Sequence, residues 1–185
     1  MKIFRQIAKN QFVFASFFGA GVAKISAGLE IPEEVGRELQ GDFFREFSDV
    51  KRWHERIRKD YQKNGYVTGL SGFRRRAPIA PTQIINTPIQ SDESIIVCNA
   101  MSRLSELGKL ELQPNFEVHD DLSYVWEEAD IEKNSEVVIR EMTRIVLPWC
   151  GIVPIQVEMS IGSDWASLKE VGKYTSVQIW GHRRK

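Results

Sequence analysis

Arg5 and Lys9 lie four residues apart near the start of the chain. On a helix that spacing puts both side chains on one face. A guanidinium that forks onto oxygens, beside an ammonium point charge, makes a clamp for a polyanion such as a triphosphate. An ordinary solvated face has the same two residues. Phe12, Phe14, Phe17 and Phe18 follow, just before Gly19. Rings next to a phosphate clamp would stack on a nucleobase, or they would close a buried helix end. A second group is His119-Asp120-Asp121. Adjacent carboxylates at a hairpin tip cannot both face a core. Two hard oxygen ligands suit Mg²⁺, which takes few carboxylates and keeps waters or substrate phosphates. A polar turn is the bland alternative. The third group is Asn86 and Gln90, which both donate and accept hydrogen bonds and so suit base or sugar edges. Helix capping is the ordinary use of such an Asn.

The elements that position these groups follow from periodicity. Residues 1–20 predict a helix that ends at Gly19-Ala20-Gly21. Pro32-Glu33-Glu34 opens a second helix, with Val35, Leu39, Phe43 and Phe47 in helical period. Ser48 is placed to cap a third, with Val50, Trp53, Ile57 and Tyr61 on one face and Asn64-Gly65 at its end. Residues 66–76 predict a β-hairpin turning at Leu70-Ser71-Gly72. A long helix is expected over 83–107, with Pro88 near its start. Short extended runs flank His119-Asp120-Asp121. A helix is expected over 131–147, a strand over 152–161, and a further strand over 174–180. The class is α+β.

Length and charge bound the function. A chain of 185 residues with 42% hydrophobic content buries a real core and fits one domain, with or without a lobe. Cys98 and Cys150 are far apart and belong to no Cys/His cluster, which argues against zinc or a disulfide framework and fits a reducing compartment. No apolar run reaches the length of a membrane span, so no membrane role is expected. Net charge is zero, yet it is a sum of opposites. Residues 51–76 carry nine cations and two acids, and residues 111–141 carry ten acids and two cations. That segregation fits phosphates held by one region and cations by another, and it also fits mixed surface faces.

The order of the groups carries more than any one of them. Arg-x3-Lys precedes Phe and Gly. Then come a basic helix and hairpin, Asn86-x-Pro88-x-Gln90, and His119-Asp120-Asp121. Val153-Pro154-Ile155-x-Val157-Glu158, Gly162 and Trp165 complete the series. This order resembles the C-terminal part of family A DNA polymerases, the bacterial polymerase I and phage replicase type. The resemblance covers nearly the whole chain. It implies helical fingers plus part of an antiparallel palm sheet, with residues 1–80 fingers-like and 81–185 palm-like.

The resemblance also implies roles. Arg5 and Lys9 match the residues that bind the incoming triphosphate on the fingers helix. Counting back from Gly19 places Phe14 at the nucleotide-contacting position and Phe18 where the family usually has Tyr. Counting forward from Lys9 places Val13 there instead, because the segment is one residue longer than the family pattern. Phe14 is the preferred reading, with a local bulge in the helix. Phe rather than Tyr would imply discrimination against dideoxynucleotides. Asn86 and Gln90 match minor-groove contacts to primer-template. The family's Arg four residues earlier is Thr82 here. Arg74, Arg75 and Arg76 would contact the DNA backbone. His119 would lie near the primer terminus, and Asp120 would be the invariant metal ligand. Asp121 stands where Glu is usual. The implied reaction is attack of a primer 3′-hydroxyl on the α-phosphate of a dNTP, with pyrophosphate leaving and two Mg²⁺ ions assisting.

The family's other essential Asp, in motif A, lies upstream of the fingers helix. No Asp precedes Asp42, and Asp42 and Asp49 lack that motif's context. The reading therefore expects a split or truncated polymerase. An N-terminal fragment would supply motif A and the thumb, and the isolated chain would be inactive. The setting would be the cytoplasm of a bacterial or phage-infected cell. The alternative is a non-catalytic DNA-binding remnant of such an enzyme.

Overall fold

A computed structural model describes residues 2–145 and 147–175. The chain divides into two compact units, Met1–Ser91 and Asp92–Lys185.

In the first unit, helix α1 (Lys2–Ile7) widens into a π-helical segment, Ala8–Phe14, and closes as a short α2 (Ala15–Phe17). Such widening absorbs one extra residue without breaking the helix. Gly19 ends the run at φ +76°, with the Ala20 N–H bonded back to the Ala15 carbonyl at 2.8 Å. A Cβ on Gly19 would meet the Ile85 side chain at 3.0 Å, so glycine serves both the turn and the close approach. Helix α3 (Val22–Leu29) follows; the sequence reading did not anticipate it. It lies close against α4 (Glu33–Glu46), where a Cβ on Gly36 would fall 2.0 Å from Ser26 Oγ. Pro32 precedes α4, and Glu33 and Glu34 fill its first turn, where acids suit the positive end of the helix dipole. Phe43 is buried, with the rings of Phe17 and Phe47 at 5.0 and 4.8 Å and that of Phe12 at 5.7 Å.

Helix α5 (Ser48–Asn64) has Phe47, not Ser48, at its N-cap, and no side chain caps it; the expected Ser48 cap does not form. Gly65 ends the helix in the left-handed region. Ile57 and Tyr61 pack on a small core of Val67, Ile79 and Ile84, and the Tyr61 hydroxyl accepts the Ile79 N–H at 3.2 Å. Strands β1 (Tyr66–Thr68) and β2 (Arg74–Arg76) pair antiparallel, Val67 opposite Arg75. Helix α6 (Pro81–Glu106) takes Pro81 as its first residue and runs through Pro88.

In the second unit, Leu104, Leu112 and Val138 form a core that Tyr124, Trp126, Val137 and Met142 cover. Strands β3 (Phe116–Val118) and β4 (Asp121–Ser123) form a hairpin with Val118 opposite Asp121. Helix α7 (Ile131–Met142) stops earlier than the expected residue 147. The Thr143 hydroxyl bonds back to the Ile139 carbonyl at 2.8 Å, and the Pro148–Gly151 turn follows. Strand β5 (Gln156–Ile161) starts four residues later than predicted, after Pro154, and pairs with β6 (Lys169–Thr175) through a register shift at Met159/Ser160. The expected tail strand reaches Thr175; its remainder lies outside the described residues. The class is α+β, with the described strands in three separate two-stranded antiparallel pieces. No described helix is long and apolar enough to cross a membrane.

Candidate functional site

The π-helical segment sorts the four phenylalanines. Phe12 and Phe17 face Phe43 and build the core. Phe14 and Phe18 meet edge to face at 6.4 Å, and Phe14 is 43% exposed. Lys9 Nζ lies 4.9 Å from the Phe14 ring centroid. In an α-helical run, Lys9 would share its face with Val13, four residues on. The wider turn gives that place to Phe14, five residues on, and leaves Val13 half-buried. A cation over an exposed ring is worth roughly 0.5–1 kcal/mol. Arg5 is exposed one turn earlier.

Behind this helix end stands His54, buried on α5. Its Nε2 bonds the Phe17 carbonyl at 2.8 Å. Burial lowers its pKa, the carbonyl bond opposes that, and the Arg58 charge adds to the lowering. His54 is therefore a neutral donor at pH 7. Sequence reading missed it, because a lone His on a basic helix gives no local signal.

The basic hairpin splits its three arginines. Arg75 is tied to α6, donating to Gln83 Oε1 at 3.1 Å and to Thr87 Oγ1 at 3.5 Å. Arg74 lies over the Tyr66 ring at 5.0 Å, and Arg76 is exposed. Asn86 lies inside α6, past its first turn, so it is not a cap. Its Oδ1 is buried without a partner, while Gln90 is exposed. A buried, unsatisfied acceptor is costly, and a bound donor group relieves it.

In the second unit, His119 and Asp120 form the two-residue loop between β3 and β4. His119 takes φ +62°, the positive φ that twist-matched hairpin loops require. Asn115 secures the base: its N–H donates to the Ser123 carbonyl at 2.9 Å, and its Oδ1 accepts the Val125 N–H at 2.7 Å. His119, Asp120 and Asp121 all face solvent. At the base of the hairpin the exposed ring of Phe116, opposite Ser123, meets that of Trp165 at 6.0 Å.

Among the described residues no group of three or more His, Cys, Asp or Glu could hold a metal ion. Asp120 and Asp121 offer a pair of carboxylates, which fits Mg²⁺ when water and phosphate oxygens fill the other positions. In the first unit Asp42 and Asp49 are each ion-paired on their own helix, to Arg45 and Arg52.

The profile described as DNA polymerase family A matches residues 2–167. The chain belongs to the family A DNA polymerases. It is 30% identical over 185 residues to the thermostable DNA polymerase I of Thermus aquaticus, covering 91% of this chain and 21% of that protein. Against DNA polymerase I of Aquifex aeolicus it is 29% identical over 172 residues, covering 87% of this chain and 30% of that protein. The family A fold is also seen in the POL domain of Pol1 from M. smegmatis, solved in complex with DNA primer-template and dNTP. There the TM-score is 0.68 at 20% identity, over 77% of this chain and 28% of that one. The chain thus spans 21% of the Thermus aquaticus relative's length.

Proposed function

We propose that this chain carries the nucleotide-gripping and part of the metal-binding machinery of template-directed DNA synthesis. The observation that carries the reading is Lys9 over the exposed Phe14 ring, with Phe18 beside it. Arg5 and Lys9 hold the triphosphate of an incoming dNTP and neutralise charge as pyrophosphate leaves. Phe14 stacks against the sugar and base, and Phe rather than Tyr at that nucleotide-contacting position disfavours dideoxynucleotides. Asn86 and Gln90 contact the minor groove of primer-template, Gln90 through its exposed amide. Arg74 and Arg75 lie along the DNA backbone, Arg75 as a brace between hairpin and helix. His119 approaches the primer terminus. Asp120 and Asp121 hold Mg²⁺, which when bound stabilises the attacking and leaving oxygens.

The other essential carboxylate comes from outside these 185 residues. We assign it, with the thumb, to an N-terminal polymerase fragment in the same bacterial or phage-infected cytoplasm. The place of Asp42 and Asp49 on helices α4 and α5, without motif A's context, supports this. So do Phe116 and Val118, exposed on one face of a two-stranded hairpin that further strands would cover.

The test is primer extension with the chain alone and with that fragment. The chain alone should extend nothing, and the pair should extend primers. Asp120→Ala should lower the pair's rate by at least ~10³-fold while primer-template affinity changes less than ~3-fold. Equal rates for variant and parent would remove Asp120 from the metal site. DNA binding without extension by any pair would leave the non-catalytic remnant as the better reading.

A further inference from the structure

The last turn of a helix leaves carbonyls beyond the reach of its own amides. At the end of α2 the Ala15 carbonyl accepts the Ala20 N–H at 2.8 Å, and that of Ser16 accepts the Gly19 N–H at 3.1 Å. The Phe17 carbonyl is filled from another helix. His54 Nε2 of α5 donates to it at 2.8 Å, across 37 residues of chain. A carbonyl only accepts, so Nε2 carries the proton.

That bond falls on one particular peptide unit. The Phe17 carbonyl and the Phe18 N–H belong to the same planar group. Its N–H end donates to the Phe14 carbonyl at 2.9 Å, and its C=O end is held by His54. Pinned at both ends, the plane does not turn without breaking a hydrogen bond, and Phe18 hangs from it. The Phe18 ring meets Phe14 edge to face at 6.4 Å, and Lys9 lies over Phe14. The imidazole is seated as well. It is 2% exposed, edge-on to Phe44 at 5.7 Å and tilted against Trp53 at 5.5 Å. Phe44 meets Phe43 at 5.3 Å and Phe43 meets Phe17 at 5.0 Å, so contacts run in a closed ring from the Phe17 side chain round to the Phe17 carbonyl. One turn further along α5, the Arg58 guanidinium lies 3.4 Å from where a Gly19 Cβ would stand, so α5 meets this helix end at two places. An aliphatic side chain would fill the space of the ring without the cost of burying a polar group. What it would lack is the donor.

We propose that His54 is a positioning residue for the incoming nucleotide: by holding the Phe17–Phe18 peptide plane it sets the direction of Phe18 and, through it, the ring that Phe14 offers to the sugar and base. The proposal rests on the polymerase reading and adds to it a residue that acts from behind the site.

The experiment measures two affinities on the full 185-residue chain by fluorescence anisotropy. One probe is a fluorescent dNTP, and the other is inorganic tripolyphosphate as its competitor. The rings read sugar and base, whereas Arg5 and Lys9 read the triphosphate that both probes share. His54→Leu should weaken dNTP binding by about 3- to 10-fold, the worth of one net hydrogen bond, and tripolyphosphate binding by less than ~2-fold. His54→Gln keeps a donor and should recover most of the loss. Phe18→Ala should also weaken dNTP binding, and adding His54→Leu to it should cost less than ~2-fold more, because the two act through one peptide plane. Equal losses for both probes would make His54 a support of the fold alone and overturn the proposal, as would fully multiplicative losses in the double variant. If His54→Leu does not melt cooperatively, His54→Asn, whose amide is one bond shorter than that of Gln, takes its place with the same expectations. Lys9→Gln should weaken both probes. If it does while the His54 variants change neither, the proposal is wrong and the polymerase reading stands. If the parent binds neither probe, both fall.

Discussion

The two units hold their candidate chemistry in opposite ways. In the first, backbone geometry does the work. A π-helical segment turns Phe14 outward to Lys9, with half-buried Phe18 against it, while Phe12 and Phe17 anchor on Phe43. Lys9 already lies over the Phe14 ring, and Phe14 meets Phe18 edge to face. In the second, Asp120 and Asp121 sit at the tip of a hairpin with three-residue strands, and among the described residues they join no His, Cys, Asp or Glu cluster of three or more. What is fixed there is the hairpin base, through the Asn115 bonds, and the ion pair of Glu141 on α7 with Arg103 on α6.

The largest expected contrast is in catalysis. In the reconstituted polymerase, Asp120→Ala should cost at least ~10³-fold in rate with DNA affinity retained, whereas Lys9→Ala should raise KM for dNTP as well as lower the rate. Equal kinetic signatures for the two variants would erase the distinction between grip and metal site.

The next contrast concerns scaffolds. Glu141 is nearly buried and accepts from Arg103 Nε at 2.9 Å and Arg140 Nε at 3.1 Å. Burial alone would raise its pKa, but the bonds and charges of Arg140 and Arg103 outweigh that and hold it below the usual carboxylate range. Its side chain is 10% exposed and that of Arg103 18%, so removing one partner strands a charge. Glu141→Leu should destabilise the second unit by about 3 kcal/mol, and the double variant Arg103→Met/Glu141→Leu should recover most of that. Urea unfolding followed by the fluorescence of Trp126, which packs on that core, reads both. No recovery in the double variant would show that shape, not charge, is what Glu141 supplies.

Much of this was legible in the sequence, and the failures have physical causes. The order of Arg5, Lys9, Phe, Gly19, Asn86, Gln90 and His119-Asp120 suggested the family, and the family profile matches over residues 2–167. The extra residue before Gly19 implied a bulge, and the π-helical segment is that bulge. Helix α3 was missed because Gly21 and Gly28 read as loop, yet Ile25 drives it into the core. The end of α7 was misplaced because Ile145 keeps helical period although it is exposed; the Thr143 back-bond decides the end. Arg58 and His54 gave no signal, since both look like ordinary members of a basic helix. Their roles depend on Gly19 and Phe17, more than thirty residues away, and only the fold brings those together.

Two smaller effects probe the pre-formed grip itself. Deleting Asn10 should return the π-helical segment to α geometry and leave Lys9 four residues from the present Phe14. Since that ring stays on the same face, dNTP affinity should change by less than ~3-fold. A loss of binding would mean that the wide turn does more than carry the spare residue. The smallest effect is electrostatic. In the folded chain His54 titrates below its ordinary 6.5, chiefly because it is buried. Between the two values the unfolded chain binds more protons than the folded one, so stability rises with pH there. The contribution is complete above the unfolded value and is lost as pH falls through 6.5 toward the folded value. The first unit should therefore melt at a lower temperature at pH 5.5 than at pH 7.5. His54→Gln keeps a donor for the Phe17 carbonyl and removes the titration, so its melting should be flatter over that window. An unchanged slope would assign the acid sensitivity to other groups. It would leave His54 as a plain hydrogen bond behind the helix end that carries Phe14 and Phe18.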